Sequence, residues 1–130
     1  MDESERFNAG MKVRRRVLGD AHVDRALASR DELTSEFQDL LTRYAWGEIW
    51  TRPGLDERTR RLLVLAMLVG LGHDAELKMH LKAAFDSGMS ADDVKEVFLQ
   101  AAVYCGLPAA NNAFRVAQEV LTSRGKNQSE

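Results

Sequence analysis

The sequence predicts an all-α protein, a single domain of about six helices. Apolar residues recur at helical spacing along nearly the whole chain, and no segment alternates as a half-buried strand does. A length of 130 residues is that of one domain, and two prolines leave little scope for long disordered or polyproline segments.

The first helix is expected over about residues 3–18, where Phe7, Met11 and Leu18 are spaced along one face. The second is expected over about 31–48, from the stripe Leu33, Phe37, Leu40, Leu41 and Tyr44. Arg52-Pro53-Gly54 breaks the chain, and Asp56 stands where a helix N-cap belongs. The third helix runs to about Val69, with Gly70 and Gly72 at its end. From Leu62 onward it is apolar on all sides, which predicts burial on all sides, centrally or at a subunit contact. A fourth helix spans about 73–86 and stops at Gly88. Ser90-Ala91-Asp92-Asp93 reads as a capping box that opens a fifth, with a stripe of Val94, Val97, Phe98 and Ala101. Gly106-Leu107-Pro108 precedes the last helix, whose apolar side holds Ala113, Phe114, Ala117, Val120 and Leu121. The ordered core is expected to cover about 3–122 of the single 1–130 domain, with 123–130 as a frayed tail.

Composition narrows the function. Eighteen basic against 20 acidic residues give a formal net charge of −2, so no overall field favours nucleic acid. The single Cys105 excludes an internal disulfide, a CxxC pair and a Cys-rich zinc site, and reads as a buried structural thiol. The longest apolar run, Leu62–Val69, is eight residues, well short of the roughly 20 that cross a bilayer. MDESERFNAG is polar and has no apolar signal region, so a soluble cytoplasmic protein without membrane partners is expected.

Two clusters carry candidate chemistry. Glu76 and His80 are one helical turn apart, and a carboxylate there can orient an imidazole for proton transfer near neutral pH. His73, placed on the same face, makes H-x2-E-x3-H, a weak metal signal set beside the plainer reading of a solvated helix face. In Tyr44–Gly54, Glu48 lies between Trp46 and Trp50; an apolar pocket there would push its pKa up. Arg14, Arg15 and Arg52 offer forks for carboxylates, and Asn111-Asn112 offer amide donors or helix caps.

Several segments in order resemble the carboxymuconolactone decarboxylase family, which shares the all-α fold of alkylhydroperoxidase D. They are Gly10–Arg15, Val17–Val23, Tyr44–Trp50, Thr51–Leu55, Glu76-Leu77 with His80, and Gly106–Asn111. The resemblance covers about residues 3–122. Peroxidase members of the family carry a CxxC where this chain has His73 and Glu76, so thiol peroxidase activity is not expected. Decarboxylase members often carry Arg at the position of His73.

The resemblance implies decarboxylation of 4-carboxymuconolactone to the enol-lactone of 3-oxoadipate in protocatechuate breakdown. It further implies no cofactor, no metal and a homo-oligomer, often a hexamer. In that chemistry the lactone is the electron sink, and the intermediate is a dienolate that is protonated alpha to the carbonyl. His80, oriented by Glu76, is the expected proton source, with Glu48 as a second candidate. His73, Trp46, Trp50 or Asn111 could donate to the lactone oxygen. Arg52 is favoured to hold the carboxylate that stays, with Arg14 or Arg15 as alternatives. The competing readings are another lactone-processing or peroxidase-like member of the family, and a non-enzymatic helical oligomerisation module.

Overall fold

The computed structural model describes residues 2–128, all of it helix and connecting turns among those residues. The chain forms two compact units, Met1–Glu57 and Arg58–Glu130.

In the N-terminal unit, α1 (Glu3–Leu18) starts from a capping box. The Asp2 carboxylate accepts from the Glu5 amide at 2.8 Å, and the Glu5 carboxylate accepts from the Asp2 amide at 3.1 Å. Gly19, at φ 90°, ends α1 and admits α2 (Asp20–Ala28), a helix that the sequence reading did not separate. DAHVDRALA spans only about two and a half turns, and Val23 is its one buried residue, so it shows no apolar stripe. α3 (Ser35–Leu41) passes directly into a π-helical segment, Thr42–Ile49.

This unit holds together along the pairing of α1 with the π segment. A Cβ on Gly10 would lie 2.2 Å from the Thr42 carbonyl oxygen and 2.7 Å from the Gly47 nitrogen. One on Gly47 would lie 2.3 Å from the Arg6 carbonyl oxygen. Only glycine permits so close a crossing. Val13, Val17, Leu18, Val23 and Trp46 are buried. The expected stripe of the second helix is not: Leu33 is 88% and Phe37 61% exposed, and Leu40 and Tyr44 are exposed with them. The side that packs carries Gln38, Thr42 and Trp46 instead, because the Gly10–Gly47 crossing fixes the rotation of the helix.

The C-terminal unit comprises most of α4 (Glu57–Leu71) with α5 (Asp74–Asp86), α6 (Ala91–Cys105) and α7 (Leu107–Gln128). Its core joins Leu65, Leu77, Leu81, Phe98, Ala113 and Val116, among others. Phe98 meets Phe114 edge-on, with centroids 5.3 Å apart. α4 is not buried on all sides: Arg61, Leu65 and Val69 face inward, while Met67 is 58% and Leu71 68% exposed. The expected stripe of α6 is borne out at Val94, Phe98 and Ala101. So is the capping box, with the Asp93 amide donating to the Ser90 hydroxyl at 3.0 Å. Ser90 and Arg58, 2.9 Å away, hold the Asp93 carboxyl below the usual carboxylate range. α7 continues to Gln128, past the expected end of the core near 122; residues 129 and 130 of the expected tail lie outside the described residues. No helix among the described residues is long and apolar enough to cross a membrane.

Candidate active site

The N-terminal unit contributes an aromatic pair, a carboxylate and several guanidinium groups. Trp46 and Trp50 stack with centroids 4.9 Å apart and planes at 27°. Their indole N–H groups have no hydrogen-bond partner among the described residues, so both remain donors to spare. Because the rings stack on each other, Glu48 is not enclosed between them as its position in the sequence suggested. Its carboxylate lies 2.7 Å from Arg6 Nε and is part-exposed. Arg6 also reaches Glu3 at 2.6 Å, and Arg43 reaches Glu3 at 3.0 Å, so four alternating charges tie α1 to the π segment. The Thr51 hydroxyl donates to the Gly47 carbonyl at 2.7 Å and closes the helix just before Arg52, which is exposed.

The consecutive Arg14 and Arg15 differ sharply. Arg15 holds Asp20 at 3.0 Å and Asp24 at 2.9 Å, and these partners raise its pKa further. Arg14 is only 4% exposed and donates to two neutral groups, Thr42 Oγ1 at 3.3 Å and Gln38 Oε1 at 3.0 Å. Its Nε is buried and unpartnered. Burial, and then the charge of Arg15, lower the Arg14 pKa.

In the C-terminal unit, His80 is half-buried on α5. Glu76 stands one turn before it, exposed, and its carboxylate pairs with no group among the described residues. His73 is the N-cap residue of α5, at φ −88° and ψ 78°, and is exposed. Its carbonyl accepts from the Leu77 amide at 2.9 Å, so it stands at the mouth of the first turn. Among the described residues no group of three His, Cys, Asp or Glu side chains is arranged to hold a metal ion. Asn111 is exposed inside α7, not at its start. Asn112 spends its amide on Asp74 at 2.8 Å and its oxygen on Arg115, which makes it a brace between α7 and α5. Cys105 is exposed, contrary to the buried thiol expected of it, and its sulfur lies where a Cβ on Gly70 would come within 3.1 Å.

Sequence reading missed Arg6, Gln38 and Thr42. A signal existed for the last two: they are one turn apart, so they share a face.

The stacked indoles and the buried guanidinium stand on helices of the N-terminal unit and His80 on a helix of the C-terminal unit, in a small all-helical protein. Residues 35–119 match the carboxymuconolactone decarboxylase family, and the chain belongs to it. It is 43% identical over 96% of its length to the 4-carboxymuconolactone decarboxylase of Acinetobacter baylyi, covering 93% of that protein. It is 40% identical over 88% of its length to the nitrosuccinic acid decarboxylase of Metarhizium robertsii, covering 80% of that protein. A 48-residue 4-carboxymuconolactone decarboxylase sequence from Pseudomonas putida matches at 56%, over 37% of this chain.

Proposed function

We propose that this chain is a carboxy-lyase that removes CO2 from 4-carboxymuconolactone and releases the enol-lactone of 3-oxoadipate. The observation that carries the reading is the near end-to-end identity with the Acinetobacter decarboxylase. The reaction needs no outside electron sink. As the C–CO2 bond breaks, its electron pair moves through the ring C=C to the lactone carbonyl. The resulting dienolate takes a proton at the carbon alpha to that carbonyl.

His80 supplies this proton, with Glu76 one helical turn before it on α5. Glu48 is engaged with Arg6 at 2.7 Å, so it is assigned no proton delivery. The free indole N–H groups of Trp46 and Trp50 suit an oxygen where negative charge develops, with His73 and Asn111 as further donors. For the carboxylate that stays, Arg15 is committed to two aspartates while Arg14 meets only neutral acceptors, so Arg14 is preferred to Arg15; Arg52 is the candidate the family resemblance favours.

A second reading shares this machinery. The Metarhizium relative is named for nitrosuccinic acid, a dicarboxylic acid in which a nitro group can accept the electron pair. Both substrates lose one carboxylate beside an acceptor and keep another, so 2-nitro dicarboxylic acids are the alternative substrates.

The protein acts in the cytoplasm as a homo-oligomer, a hexamer by the family resemblance. The exposed apolar face of α4 and the exposed Leu99, Val103 and Tyr104 of α6 support association. Light scattering on purified protein measures it, and a monomer would refute it.

The activity is tested by NMR in D2O with EDTA present, on freshly generated 4-carboxymuconolactone. Rapid formation of the enol-lactone with one deuterium alpha to the carbonyl is expected. Conversion no faster than the spontaneous rate, from folded protein, refutes the reading.

A further inference from the structure

Arg14 is a buried cation without an anion. Arg6, Arg15 and Arg43 in the same unit each hold a carboxylate and are more exposed. Arg14, at 4% exposure, holds none among the described residues. A buried charge is costly unless it is paired, and neutral acceptors compensate it only in part.

The neighbours are arranged as donors. A guanidinium has no acceptor, so Gln38 must turn its carbonyl oxygen toward Arg14. Its NH2 then faces away and donates to nothing among the described residues. The Thr42 hydroxyl gives its proton to the Gln38 backbone carbonyl at 2.8 Å and receives Arg14 Nη1 on its lone pair. The cluster therefore carries one positive charge, an orphaned Nε and two unused amide protons, with no negative group to meet them. Its chemical complement is an anion with two oxygens. Gln38 is half-buried, so its side of the cluster is the way in.

We propose that Arg14 and the Gln38 amide form a subsite for a carboxylate, the one a dicarboxylate substrate keeps while the other departs as CO2. This rests on the decarboxylase reading above. It selects for acids with two carboxylates and makes Gln38, which is not itself charged, a determinant of specificity.

Gln38→Glu tests it. A carboxylate at position 38 would pair with Arg14 from inside the protein and repel the substrate. If Arg14 only ties α1 to α3 and the π segment, the substitution strengthens the tie and leaves binding unchanged. If the cluster is a subsite, Tm holds or rises while KM for 4-carboxymuconolactone climbs about 10- to 100-fold, with kcat changed much less. An unchanged KM in a folded Gln38→Glu protein overturns the proposal. Should the wild type prove inactive on 4-carboxymuconolactone, the decarboxylase reading fails separately. In that case a rise in Tm with succinate that is lost in Gln38→Glu still upholds the subsite. No rise in the wild type overturns it.

Discussion

The crossing of α1 with the π segment yields the sharpest stability prediction. Gly10→Ala places a methyl group 2.2 Å from the Thr42 carbonyl oxygen, 2.7 Å from the Gly47 nitrogen and 2.9 Å from the Gly47 Cα. All three are backbone atoms, so no side chain can rotate away. Restoring van der Waals distance requires the two helices to part by roughly 1 Å in a close-packed contact. Overpacking of this kind costs about 1–3 kcal/mol, and with only backbone to yield the upper end applies. The better helix propensity of Ala offsets about 0.5–1 kcal/mol. The net loss is about 2 kcal/mol, or a Tm lower by about 6–10 °C for a domain of this size. Gly125→Ala is the control, the same chemistry in α7 with nothing within 4 Å of the added methyl, and its Tm should rise by a few degrees. Circular dichroism melts of both variants suffice. A Gly10→Ala protein as stable as the wild type would show that the crossing is not the constraint described.

Further outcomes follow from single groups. Phe98→Ala empties a fully buried site facing Phe114 and should cost about 3–5 kcal/mol in urea unfolding; less than about 1 kcal/mol would contradict its place in the core. The folded-state pKa of Asp93 is lowered, so its stabilising contribution is complete above its unfolded pKa and is lost as pH falls through the folded value. The urea midpoints of wild type and Asp93→Asn should therefore differ at neutral pH and converge as pH falls through the folded pKa of Asp93; a gap that does not depend on pH would exclude the linkage. His80→Ala should lower kcat by about 10²- to 10⁴-fold, whereas a kcat near that of the wild type would remove His80 from the proton step. Glu48→Gln is measured beside it; with its carboxylate held by Arg6, kcat should stay within a few-fold of wild type, and a loss as large as that of His80→Ala would return Glu48 to the proton step.

How far the sequence could be read depended on whether a feature is local. The capping box at Ser90 and Asp93 and the breaks at Gly72, Gly88 and Gly106 involve neighbours in the chain, and the structure reproduces them. Helical periodicity located most of the helices for the same reason. The burial of the second helix was misjudged because an apolar stripe shows which side avoids water, not which side has a partner. Leu33, Phe37, Leu40 and Tyr44 make the stripe, yet Gly10 and Gly47 dock the opposite side. Glycines at a crossing become visible only when both helices are in place. In the candidate site, Trp46, Trp50 and His80 were legible as residue types. The arrangement of Glu48 was not, because Arg6 lies far from it in sequence. Arg14 could have been separated from Arg15 by phase alone: Gly10, Val13, Arg14 and Val17 fall on one helical face, and that face is buried.

The π segment also bears on how such a chain can change by insertion and deletion. A π turn is an α turn with one residue to spare. Deleting a single codon between Thr42 and Ile49 would let the segment relax to an ordinary α-helix. The turns on either side would keep their bearings, because the wide turn absorbs the residue that is lost. The same deletion in a regular α-helix would turn everything beyond it by about 100° and pull its buried face out of the core. The segment is thus a place where the chain can lose one residue without re-aiming the helix on either side, and helix length here is the trait to compare among relatives.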